Sequence, residues 1–187
     1  MSDYRLEHQI DTIVIHCSAT PNGRFHTATD IDNWHGPDRE KRGKRPFRRH
    51  PDARIGDGKW QGKGYHAKDL AHIGYHFVIR TDGVTQVGRR LSETGAHARG
   101  WNTRSIGICL IGMDQFSLAQ WVTLKKLVES LQRNRYAKEL PPIKEVIGHH
   151  QVASYKTCPG FSVPDWVTNE MRPVEINILE AVEEEIC

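Results

Sequence analysis

The sequence predicts an α/β fold: a single domain with a central mixed β-sheet flanked by α-helices. Three observations predict it. The β-branched run Ile13-Val14-Ile15 has the character of a buried strand. Gly74 to Arg80 leads through Thr81-Asp82-Gly83 into a second apolar segment, and a hairpin of that kind is antiparallel. Ser117 to Tyr136 carries apolar residues at helical spacing. A chain of 187 residues fits one domain of this kind, with enough interior for a real core.

Taken in order, Ile10 to Cys17 reads as the first strand, with His16 at its end, and Ser18 to Gly23 as a loop. Thr29 to His35 reads as a short helix. Thr29 can cap it, Asp32 sits three residues on, and Ile31, Trp34 and His35 share one side. Gly36 to Asp69 is rich in Gly, Pro and charge and reads as a long surface insertion. In the strand from Gly74 to Arg80, alternation places Tyr75, Phe77 and Ile79 on one face. Val84 to Val87 returns from the hairpin, and Ser105 to Ile111 is a further apolar strand.

The long helix opens on a capping box, Ser117 with Gln120. Its stripe is Leu118, Trp121, Val122, Leu124, Leu127, Val128 and Leu131. After Pro141-Pro142, Lys144 to Ile147 is a short strand running into Gly148-His149-His150, and Asp165 to Met171 a closing helix. The expected organisation is one domain over residues 1–173, with its insertion near 36–69, and an acidic tail over 174–187.

The net charge of +3 is unevenly spread. Arg39 to Arg54 holds eight Lys and Arg against Glu40 and Asp52, whereas Glu175 to Cys187 holds five Glu and no base. Without those five, 26 bases stand against 18 acids, a body of +8 suited to an anionic partner. The four cysteines, at 17, 109, 158 and 187, match no disulfide framework and no CxxC pair. Met1 to Gln9 lacks the apolar core of a signal peptide, and no stretch is apolar enough for a membrane span.

Candidate chemistry sits at strand ends and in loops. His16 ends one strand, His149 and His150 end another, and Cys158 follows in Lys156-Thr157-Cys158-Pro159-Gly160. Two imidazoles and a thiolate make a zinc set that leaves a fourth position open. With 11 histidines in the chain, residue types alone leave a set of ordinary histidines beside an inert thiol as the competing reading.

Four blocks, in order, carry a resemblance. Ile13-Val14-Ile15-His16-Cys17-Ser18-Ala19-Thr20 resembles the opening zinc-binding strand of the type-2 N-acetylmuramoyl-L-alanine amidases. That superfamily includes phage amidase-type lysozymes and peptidoglycan recognition proteins. Gly74-Tyr75-His76-Phe77-Val78-Ile79 with Asp82-Gly83 resembles its catalytic-tyrosine strand. His97-Ala98-Arg99-Gly100-Trp101-Asn102 with Ser105-Ile106-Gly107-Ile108 resembles its cleft loop and next strand, and Gly148-His149 with Cys158-Pro159-Gly160 its closing motif. The likeness spans Ile10 to about Trp166 apart from the insertion, and Lys156 two residues before Cys158 is as in the short phage lysozymes.

The resemblance implies one zinc ion held by His16, His149 and Cys158, with His150 a neighbour of the site. It implies Tyr75 and Lys156 as catalytic groups and His97, Asn102 and Trp101 as substrate-binding residues. His76 is read as structural. The implied reaction is hydrolysis of the amide between N-acetylmuramic acid and L-alanine in peptidoglycan by a zinc-activated water, as in a phage endolysin. A non-catalytic peptidoglycan-binding module and a regulator of a phage RNA polymerase are the alternatives. The basic insertion suggests attraction to an anionic wall or outer-membrane surface. No specific nucleic acid is implied, and a monomer is expected. Such a protein would stay in the host cytoplasm until lysis and then reach the periplasm and wall.

Overall fold

The computed structural model describes residues 9–49, 70–133 and 141–180. Five strands form one sheet: β1 (Thr12–Cys17), β2 (Phe77–Ile79), β3 (Thr85–Val87), β4 (Ser105–Leu110) and β5 (Glu145–Gly148), in the order β3-β2-β4-β1-β5. β2, β4, β1 and β5 run parallel, and β3 returns antiparallel to β2, so the sheet is mixed as expected. β1 and β4 are buried along their whole length, as parallel strands covered on both faces must be.

One face is closed by α3 (Leu118–Gln132), whose Trp121, Leu124, Leu127 and Val128 pack on Ile13, Ile15, Ile106, Ile108 and Phe77. The other face is closed by α1 (Ala28–His35), where Ala28 and Ile31 meet Val78, Cys109 and Ile111. Asp11 ties three adjacent strands together at their starts. Its carboxylate accepts Arg104 Nε and Nη2 at 2.8 and 2.7 Å and lies 3.6 Å from Lys144 Nζ.

Several sequence expectations shift. The cap of α1 is Thr27, boxed with Asp30, rather than Thr29. Asp32 is spent instead on the backbone N–H groups of His72 and Ile73, at 2.6 and 2.7 Å. Ser117 and Gln120 do form the box at the start of α3. The stripe, however, is rotated: Leu118 and Val122 are 62% and 51% exposed, while Gln120 is buried and donates to the carbonyls of Ile79 and Ile111. Tyr75 precedes β2, so strand alternation does not govern it. It packs with Val78 and Cys109, on the face opposite Phe77 and Ile79.

The first part of the insertion folds against the body. Pro37 opens α2 (Pro37–Lys41), the Phe47 N–H reaches the His35 carbonyl, and the Arg49 N–H reaches that of Ala71. The start of the tail is also part of the domain. Ile178 bridges Phe116, and Trp121 Nε1 donates to the Asn177 carbonyl at 3.2 Å. The insertion beyond Arg49 as far as Asp69, the expected helix end at 134–136 and the tail beyond Glu180 lie outside the described residues.

Candidate metal centre and active site

β1 and β5 are neighbours in parallel register, with Ile15 opposite Gly148. His16 and His149 therefore leave the same edge of the sheet at the same level, at the carboxyl ends of the strands, where α/β folds build their sites. His149 opens the short helix α4 (His149–Val152), and the chain then returns Cys158 to the end of β1. The Cys17 backbone N–H donates to Cys158 Sγ at 3.1 Å, and His16 Nδ1 stands 3.8 Å from that sulfur. One ligand atom from each of His16, His149 and Cys158 lies within 4.8 Å of the others, a group able to hold a metal ion. His150 is turned away. Its Nδ1 and its backbone N–H both meet the Cys158 carbonyl, which fixes the loop rather than adding a donor to the group.

The electrostatics suit metal binding. Burial, followed by the neighbouring His97, His149 and His35 rings, pushes the pKa of His16 far down, so its imidazole is neutral. Burial and the Lys156 charge lower His149 in the same direction. The adjoining Cys17 thiol and then burial push the Cys158 thiol up. A divalent cation bound there would displace that proton, because a coordinating thiol is held as thiolate.

His97 belongs to the same cluster. Its Nδ1 is 3.0 Å from His16 Nε2, and its ring occupies a seat left by two glycines. A Cβ at Gly107 would stand 2.6 Å from that ring and one at Gly95 2.5 Å from it. A single glycine inside the apolar strand Ser105 to Ile111 was the sequence signal for so close an approach. His76 is structural, as read: Nδ1 accepts the Gly107 N–H at 3.0 Å and Nε2 donates to the Glu93 carbonyl at 3.1 Å.

Beside the cluster opens a cleft of about 1130 Å³, lined among others by Tyr75, His149, Lys156, Cys158, Asp114 and Phe161. Tyr75 lies against His16, with ring centroids 5.0 Å apart and the rings tilted by 53°, and burial raises its pKa well above that of a free phenol. It is therefore a proton-bearing donor at neutral pH. Lys156 is exposed on the rim, close enough to His149 to act on its charge. The residues lining this cleft, among those described, do not include any of the three expected substrate-binding residues, His97, Asn102 and Trp101. The Asn102 side-chain oxygen instead accepts the N–H groups of His97 and Ala98, both at 2.9 Å, and so braces the loop that carries His97. Trp101 carries the Arg104 guanidinium over its ring at 4.9 Å.

The model of one protein family, described as N-acetylmuramoyl-L-alanine amidase, matches residues 6–161. The chain belongs to this amidase family. Similar relatives include the endolysin of Enterobacteria phage K11, 36% identical over 161 residues and covering 82% of each chain. The endolysin of Escherichia phage T7 is 29% identical, over 87% of this chain and 89% of its own. Peptidoglycan-recognition protein SC2 of Drosophila melanogaster is 35% identical over 59% of this chain and 58% of its own. In fold, the chain resembles the endolysin amidase LysCS from Clostridium intestinale URNW, with a TM-score of 0.59, 22% identity and coverage of 91% and 90%. Drosophila PGRP-LB is similar at a TM-score of 0.60, with 22% identity and coverage of 95% and 89%.

Proposed function

We propose that this amidase is an endolysin that hydrolyses the bond between N-acetylmuramic acid and L-alanine in peptidoglycan with a zinc ion held by His16, His149 and Cys158. Family membership over residues 6–161 and the phage endolysins among its relatives support the amidase reading. The single observation that carries the metal is the group of two imidazoles and one thiol, with ligand atoms within 4.8 Å of one another beside the cleft. That donor set fits zinc, which takes nitrogen and sulfur ligands and in catalytic sites keeps one position open. Bound there, zinc supplies a Lewis acid strong enough to polarise a carbonyl and to make water a nucleophile at neutral pH.

The chain's own residues do the rest. The cleft beside the ligand group offers room for the stem peptide. Tyr75, protonated at neutral pH, donates a hydrogen bond to the carbonyl oxygen as charge builds there. Lys156 brings a positive charge to the same oxygen from the rim. His97 holds His16 in orientation through its second ring nitrogen. The exposed Lys41, Arg42, Lys44, Arg45 and Arg48 form the surface that attracts an anionic wall. Among the described residues no helix is long and apolar enough to cross a membrane. The site of action is the wall, reached from the host cytoplasm at lysis.

The deciding experiment is digestion of purified peptidoglycan followed by end-group analysis. New amino termini on L-alanine with an intact glycan support the reading. New reducing sugar ends replace it with a glycosidase.

A further inference from the structure

Arg49 ends the described part of the basic insertion and is unlike its charged neighbours: its side chain is 0% exposed and pairs with Glu93, itself 2% exposed. The pairing is a fork. Arg49 Nε and Nη2 reach the two carboxylate oxygens at 2.8 and 2.7 Å, and Nη1 donates to the Leu70 carbonyl at 2.7 Å. Glu93 Oε2 also accepts the Arg90 N–H at 2.6 Å. The Glu93 carbonyl accepts His76 Nε2, and His76 Nδ1 accepts the N–H of Gly107, the residue on which the His97 ring sits. Arg89 pins the same loop from its other side, donating to the carbonyls of Ile73, Thr94 and Arg48. From the insertion to His16 there is thus a connected path: hydrogen bonds join Arg49 to Glu93, Glu93 to His76 and His76 to Gly107, the His97 ring fills the space a side chain at Gly107 would take, and His97 meets His16.

We propose that Arg49 is a positioning residue for His97: the ion pair between Arg49 and Glu93 makes the root of the basic insertion a working part of the active site, fixing the loop of residues 89–97 so that His97 can orient His16. The proposal rests on the amidase reading above. A guanidinium forked onto a carboxylate fixes direction as well as distance, which a lysine at the same place does not. Buried pairs of this kind add little net stability over apolar replacements but leave a costly lone charge when one partner goes. That difference separates positioning from bulk stability.

The test compares the full chain with Arg49→Met/Glu93→Met, which removes both charges together, and with Arg49→Lys, which keeps a charge but loses the fork. Melting temperature, turnover of purified peptidoglycan and the ring-proton NMR signals of His16 and His97 in the metal-free chain are measured for each. The expected result is a double variant that melts within a few degrees of the parent, with shifted His16 and His97 signals. Its turnover falls at least tenfold while KM stays within about twofold. Arg49→Lys is expected to shift the same signals and lose turnover in the same direction. A double variant with parental signals and parental turnover overturns the proposal. If the double variant does not fold, Arg49→Lys decides alone, and parental signals and turnover in it overturn the proposal equally. A parent chain that releases no amino termini from the wall sinks the amidase reading instead, and the NMR comparison still judges the role of Arg49.

Discussion

His16 Nε2 lies 3.0 Å from His97 Nδ1, while His16 Nδ1 faces the sulfur of Cys158 at 3.8 Å. One ring nitrogen is thus held by a neighbour and the other is presented to the ligand group. A hydrogen bond to the far nitrogen of a ligating histidine fixes its tautomer and its plane, and losing it commonly costs about 10–100-fold in metal affinity or activity. His97→Ala is therefore expected to fold, to bind zinc at least tenfold more weakly in chelator competition, and to lose turnover in proportion. Unchanged affinity in this variant would remove His97 from the site.

Gly107→Ala tests the same geometry from the backbone. The added Cβ would stand 2.6 Å from the His97 ring, so the ring must leave its seat. Overpacking of a closed interior costs about 1–3 kcal/mol. The expected outcome is a modest fall in melting temperature joined to a turnover loss close to that of His97→Ala. A stable variant with parental turnover would mean that the seat does not matter.

Lys156→Ala addresses charge on the cleft rim. Lys156 is exposed, so its removal should leave the fold and the metal content intact. Loss of one group that stabilises developing oxyanion charge costs about 10²–10³ in rate. The check is zinc content and turnover on the same sample, and an equal loss of both would contradict the assigned role.

Asp11 provides a pH test of the fold. Its hydrogen bonds from Arg104 come first among the influences that hold its carboxyl below the ordinary value. Because the folded pKa is depressed, the pair contributes stability above the unfolded pKa of about 3.9 and loses it as pH falls through the folded value. Asp11→Asn is expected to be less stable by about 1 kcal/mol or less at neutral pH, since the pair is partly exposed. That gap should close below about pH 4. Urea melts at neutral and acid pH check it, and a gap independent of pH would contradict the role of the pair.

Much of the fold was legible because burial writes itself into composition. Ile13-Val14-Ile15 and Ser105 to Ile111 are apolar on both faces, and the structure buries β1 and β4 completely. Ser117 and Gln120 announced α3 correctly. Position around the helix was harder: Gln120 was read only as the capping partner of Ser117, yet its amide also satisfies two buried carbonyls, and that need belongs to the sheet, not to the helix. Thr27 and Thr29 are both fit to cap α1, and only the turn geometry chooses between them. Tyr75 was placed on the wrong face because the strand begins at Phe77, three residues later than the expected start at Gly74.

The site was legible only in part, and for a different reason. His16 and Cys158 are 142 residues apart, so no spacing rule joins them; the family resemblance named them, and the parallel register of β1 and β5 explains how His16 and His149 meet. Arg49 was hidden in a run of like charges, where nothing in the sequence marks the one arginine that turns inward to Glu93.

The central claim, that zinc on His16, His149 and Cys158 drives amide cleavage, is tested most directly by metal content measured beside wall digestion. The parent chain should carry one zinc per molecule, stop releasing L-alanine amino termini when chelated, and resume when zinc is returned; Cys158→Ser should hold little zinc and release none. Undiminished release of those termini by chelated, zinc-free protein would contradict the account.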